Sequence, residues 1–158
     1  MHNLSDYITE YVSSGRGKKH TIVATNETIK QIVKDELDRL GHDADLNHID
    51  VSQVTNMNGL FSCAIEDLGR KYADLNPDIS KWVVSDVNDM SYMFYNCTNF
   101  NCDISSWDVS GVENMLAMFN GCESFNKDIS GWKVNDVKYY NLIFNNCRIK
   151  EEYKPKFK

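Results

Sequence analysis

Apolar positions in the first 45 residues fall at helical spacing. Leu4, Tyr7, Ile8, Tyr11 and Val12 sit at i, i+3, i+4, i+7 and i+8, one face of an amphipathic helix for which Asn3 or Ser5 is a candidate cap. Ile29, Ile32, Val33, Leu37 and Leu40 make a second stripe, opened by Thr25 or Asn26 as N-cap and closed by Gly41. The outer positions Lys30, Lys34, Asp35 and Asp38 carry mixed charge. Between the stripes, residues 13–20 read as a basic, glycine-punctuated linker; a single residue separates its two glycines, too few for a P-loop.

After residue 45 the pattern changes and begins to repeat. Asp78-Ile79-Ser80-Lys81-Trp82-Val83-Val84, Asp103-Ile104-Ser105-Ser106-Trp107-Asp108-Val109 and Asp128-Ile129-Ser130-Gly131-Trp132-Lys133-Val134 superpose without gaps at a period of 25. The register continues through Val87/Val112/Val137, Met90/Met115/Tyr140, Met93/Met118/Ile143, Phe94/Phe119/Phe144 and Cys97/Cys122/Cys147. A degenerate copy lies 33 residues upstream, where Ile49, Val51, Val54, Met57, Leu60 and Phe61 align with Trp82, Val84, Val87, Met90, Met93 and Phe94. Periods of this size mark repeat architectures. The predicted divisions are a leader and linker (1–20), a helical N-cap (21–45), four repeats over 46–147 (46–63, 78–97, 103–122 and 128–147), and a Lys-rich C-terminal tail (148–158) that is either frayed or a partial cap.

Within each copy the hydrophobic period switches. Trp82 and Val84 stand two apart, the alternation of a short strand. Val87, Met90, Met93, Phe94 and Cys97 then follow a helical stripe. The predicted fold class is therefore α/β: a solenoid with short parallel strands on one face and helices on the other, capped by an N-terminal amphipathic helix.

The repeating columns carry candidate chemistry and a plainer alternative. Three tryptophans in register suit a carbohydrate platform, but sharing a face with Val84, Val109 and Val134 makes them core. Three cysteines some 25 residues apart lack the Cys-x-x-Cys spacing of zinc knuckles and read as small buried hydrophobes. Asp78, Asp103 and Asp128 are expected to cap backbone N–H groups rather than bind calcium. Asn76, Asn101 and Asn126 are expected to satisfy backbone groups between copies.

Composition narrows the function classes. A net charge of −6 argues against a nucleic-acid surface, and no apolar stretch reaches the ~20 residues of a membrane span. Residues 1–14 lack the pattern of a secretory signal, so the five cysteines are expected to be reduced thiols in a cytoplasmic setting. His2, His20, His42 and His48 all precede the three regular copies, and none belongs to a nucleophile motif. No catalytic residue, metal ligand or cofactor is assigned. His48 with Asp50 is the single acid–base pair to test, and His42-Asp43-Ala44-Asp45 reads as a polar turn.

The motif Phe-Asn-x-Asp-Ile-Ser-x-Trp-Asp-Val-Ser-x-Val-x-x-Met-x-x-Met-Phe-x-x-Cys, which runs from Phe100 to Cys122, resembles the BspA-type leucine-rich repeats in the 25-residue version of Mycoplasma lipoproteins. Phe125 to Cys147 follows it with Tyr140 and Ile143 in place of two methionines. The resemblance implies a right-handed leucine-rich-repeat solenoid used for contact with other proteins, often at a cell surface. The opening Met-x-Asn-Leu-x-x-Tyr-Ile-x-Glu is similar to short leaders on proteins of gut-bacterial phages and prophages.

The reading that follows is a non-enzymatic module binding another protein through the outward positions of its predicted sheet face: His48, Asp50, Ser52, Lys81, Val83, Ser106, Asp108 and Lys133. The alternative is a phage-encoded virion or host-takeover protein, with Leu4, Tyr7, Ile8 and Tyr11 as a docking helix. The expected state is a monomer or an edge-mediated dimer, in the cytoplasm or, if phage-encoded, in a virion.

Overall fold

A computed structural model describes residues 21–62 and 74–158. In chain order, the named elements are β1 (Ile22–Val23), α1 (Ile29–Leu40), β2 (Ile49–Asp50) and one 3-10 turn (Glu151–Tyr153). β1 and β2 form a two-stranded parallel sheet in the register Ile22↔Ile49 and Val23↔Asp50. The predicted leader and linker, including Leu4, Tyr7, Ile8 and Tyr11, lie outside the described residues.

α1 follows its apolar stripe. Ile29, Val33 and Leu37 are buried, and Gly41 ends the helix at φ 97 with its N–H donated to the Leu37 carbonyl. The N-cap position is Thr28, not Thr25 or Asn26: residues 26–28 form a turn, and the N–H of Thr25 bonds Thr28 Oγ1 at 2.9 Å.

The expected solenoid of alternating strands and helices is not what this chain builds. Among the described residues α1 is the one α-helix, β1–β2 the one sheet, and residues 74–150 hold neither a helix nor a strand. The segments around Trp82, Trp107 and Trp132 form turns, in which each tryptophan N–H bonds the carbonyl three residues back, at Ile79, Ile104 or Ile129. The segments after Val87 and Val112 do not become helices because alternate N–H groups are donated sideways. Met90, Tyr92, Phe94 and Asn96 donate to the carbonyls of Asn114, Leu116, Met118 and Asn120 at 2.8–3.0 Å. Met115, Ala117, Phe119 and Gly121 donate likewise to Tyr139, Asn141, Ile143 and Asn145. An N–H committed to the next copy cannot close an i→i−4 helical bond. The intervening residues close i→i−3 turns instead, such as Met93 to Met90 and Cys97 to Phe94.

The copies nonetheless lie beside one another in register, linked by isolated parallel bridges Asn56↔Asp89, Asp89↔Asn114 and Asn114↔Tyr139. Their apolar columns form one continuous core. Phe61, Phe94, Phe119 and Phe144 stack at successive centroid distances of 5.6, 5.5 and 5.8 Å, with near-parallel rings. The indoles of Trp82, Trp107 and Trp132 are 4–5% exposed, and each Nε1–H donates to a carbonyl of the preceding copy, at Leu46, Ile79 and Ile104. Burying such a ring while satisfying its polar atom is what makes a tryptophan column stabilising. Residues 148–158 pack on the last copy: Ile149 and Pro155 are buried, and Phe157 stacks on Tyr140 at 4.4 Å.

Candidate functional site

The positions flanking the tryptophans form the candidate surface. In each regular copy buried and exposed residues alternate, so Trp82 and Val84 point in while Lys81 and Val83 point out, the latter 60% exposed. Ser106 and Asp108 are exposed around Trp107, and Lys133 beside Trp132. The alternation is a property of extended backbone, and it survives here although no strand forms. Lys81 and Ser106 share one register position; Val83, Asp108 and Lys133 share another.

Local hydrogen bonds fix the charge state of the acids in this row. Asp108 accepts the Ser110 hydroxyl at 2.6 Å and the Ser110 N–H at 3.1 Å, which hold its carboxyl below the ordinary carboxylate value. Asp50, half-buried, is held low in the same sense by the N–H of Ser52 and then its hydroxyl. Both are anionic at neutral pH. Lys81 is also anchored through its backbone, with its N–H on Asn47 Oδ1 at 2.8 Å.

His48 does not belong to the open row. Its Nε2 lies 2.7 Å from Glu36 Oε2, and Glu36 in turn meets Arg39 at 2.6 Å, so the imidazole joins β2 to α1. Glu36 is only 7% exposed. Burial pushes its carboxyl up, but hydrogen bonds from Arg39 and His48, with their charges, outweigh that and leave it below its ordinary value. Its position on the apolar stripe, between Val33 and Leu37, was the readable signal that an acid there has a buried partner.

The other chemistry-bearing side chains serve the backbone. Asp78, Asp103 and Asp128 accept the N–H and hydroxyl of Ser80, Ser105 and Ser130. Asn76 and Asn101 accept the N–H of Asn101 and Asn126, at 2.9 and 3.0 Å. The Cys97 and Cys122 thiols donate to the carbonyls of Phe61 and Phe94 at 3.0 Å, and burial pushes the Cys102 and Cys147 thiols up. His42 pairs with Asp74. Among the described residues, no group of three His, Cys, Asp or Glu side chains is placed to hold a metal ion, and no helix is long and apolar enough to cross a membrane.

A family model described as "Mycoplasma protein of unknown function, DUF285" matches residues 63–154. No curated protein and no solved structure matches the chain.

Proposed function

We propose that this chain, which belongs to the DUF285 family of Mycoplasma proteins of unknown function, is a non-enzymatic module that binds another protein. The observation that carries the reading is the row formed by half-buried Asp50 and exposed Ser52, Lys81, Val83, Ser106, Asp108 and Lys133, set on a backbone held by the buried tryptophan column. Opposite charges around an exposed valine suit specific contact, because charge sets the encounter rate and rejects mismatched partners while the apolar group supplies burial. The repeat itself is akin in sequence to the BspA-type repeats, through the Phe100–Cys122 motif.

The test removes the charges and keeps the turns. Asp50→Asn and Asp108→Asn retain an acceptor for the N–H groups of Ser52 and Ser110, and Lys81→Ala and Lys133→Ala truncate exposed side chains. The quadruple variant is expected to remain folded at the assay temperature and to lose roughly tenfold or more in capture of a cross-linked partner from an extract of the native host. Unchanged capture would show that the row is not the contact surface.

A further inference from the structure

From Met90 to Asn96 and from Met115 to Gly121, alternate N–H groups of one copy donate to carbonyls of the next. In the last copy the accepting side is full. The carbonyls of Tyr139, Asn141, Ile143 and Asn145 take N–H groups of the preceding copy, and those of Tyr140, Leu142 and Phe144 take N–H groups three residues on. The N–H groups of Tyr140, Leu142, Phe144 and Asn146 have no partner among the described residues, while the chain's own tail covers two of the side chains, Phe157 stacking on Tyr140 and Lys154 lying over Phe144. These four correspond to Met115, Ala117, Phe119 and Gly121, whose N–H groups all bond the next copy. Leu142 is 62% exposed, and Asn141, Asn145 and Asn146 are exposed too. The edge presents four N–H donors and, at Lys138, the counterpart of the accepting carbonyls of Asn88 and Glu113, so two copies of it pair poorly.

Charge narrows the occupant further. Residues 137–158 carry six Lys and Arg against two Asp and Glu, a net of +4 in a chain whose total is −6. Lys138 and Lys154 have their own acidic partners in Glu113 and Glu151. Arg148 lies exposed beside the edge and lines a shallow groove of about 430 Å³ with Asn96, Gly121, Asn146 and one acid of the preceding copy, Glu123.

We propose that this edge docks an extended, acidic segment of a partner protein. Alternate carbonyls of the segment take the four N–H groups as the carbonyls of a further copy would, and its carboxylates meet the exposed Arg148 and Lys150. Main-chain bonds supply the register and the basic end supplies the preference, as in strand addition to a sheet edge. The surface is separate from the row between Asp50 and Lys133, so either proposal fails without the other.

The experiment follows amide exchange by NMR on the full 158-residue chain, with a synthetic peptide of alternating Glu and Thr as probe and its Lys–Thr counterpart as control. In the free chain, the amides of Leu142, Phe144 and Asn146 are expected to exchange rapidly. The acidic peptide should slow them roughly tenfold or more, and the basic peptide should not. Arg148→Glu with Lys150→Glu should weaken the acidic peptide by a similar factor and leave the fold unchanged. Three results overturn the proposal: amides already protected in the free chain, protection that grows with protein concentration alone, or equal effects of the two peptides. The second would identify another copy of this chain as the occupant.

Discussion

Two residues in each of the three regular copies turn the backbone left-handed, as does Gly59 in the first. Gly59, Tyr92, Ala117 and Leu142 occupy one such column at φ 51–61, and Asn96, Gly121 and Asn146 the other at φ 53–77. Asparagine and glycine adopt this region readily, whereas tyrosine, alanine and leucine give up about 1–2 kcal/mol to do so. The conformation persists at Tyr92 and Ala117 because it aims their N–H groups at the next copy. Leu142 is exposed and its N–H has no partner among the described residues, so nothing there offsets its strain. Leu142→Gly is therefore expected to raise stability by about 0.5–1 kcal/mol, net of the greater freedom of glycine in the unfolded chain. Gly121→Ala should do the opposite and cost about 2 kcal/mol or more. Its new Cβ would stand 2.3 Å from Asn96 Oδ1 and 3.2 Å from Asn96 Cα. Urea unfolding of the two variants checks both, and a shift in the same direction for both would contradict the left-handed columns.

At the scale of elements, α1 was legible and its entry was not. The stripe from Ile29 to Leu40 and the stop at Gly41 are local, since both depend on residues within two turns of one another. Asn26 misleads a local reading because its partner is 29 residues away. Its Oδ1 accepts the N–H groups of Thr55 and Asn56 at 2.9 and 3.1 Å. In the following copies, the equivalent N–H pairs go to the carbonyls of Thr55, Asn88 and Glu113. A side-chain amide thus stands where a preceding copy would place a backbone carbonyl, closing the first bridge of the ladder. Asn26→Ala is expected to cost about 1–2 kcal/mol and Asn26→Asp, which keeps the acceptor, much less, both measured by urea unfolding. Equal losses would mean that the oxygen is not what matters. His48 shows the same limit on the site: its register beside Asp50 was visible, but Glu36, which holds it, is brought over by α1.

Across the whole molecule, the aspartate–serine turns couple stability to pH. Asp78, Asp103 and Asp128 are each held below the ordinary carboxylate value, first by a serine hydroxyl and then by that serine's N–H. A carboxyl whose folded value is depressed binds its proton less readily when folded, so it stabilises the fold above its unfolded value of about 3.9. That contribution is lost as pH falls through the lower folded values. The urea midpoint is therefore expected to fall with acidification, most steeply below about pH 4. Replacing Asp78, Asp103 and Asp128 with Asn should flatten that decline, and an unchanged slope would place the acid sensitivity elsewhere.

The sequence by itself determined the period, the helix α1, and which side chains face the core. Tryptophan, valine, phenylalanine and cysteine recur at fixed offsets, and burial of apolar surface is enforced side chain by side chain, whatever backbone carries it. Tertiary structure decided the backbone of the repeats. The stripe from Val87 to Cys97 satisfies a helix and also a run of short turns, because both bring every third or fourth residue to one side. Which of the two forms depends on where the N–H groups of Met90, Tyr92, Phe94 and Asn96 find their carbonyls. Those carbonyls belong to the next copy, 24 residues away, beyond any local pattern.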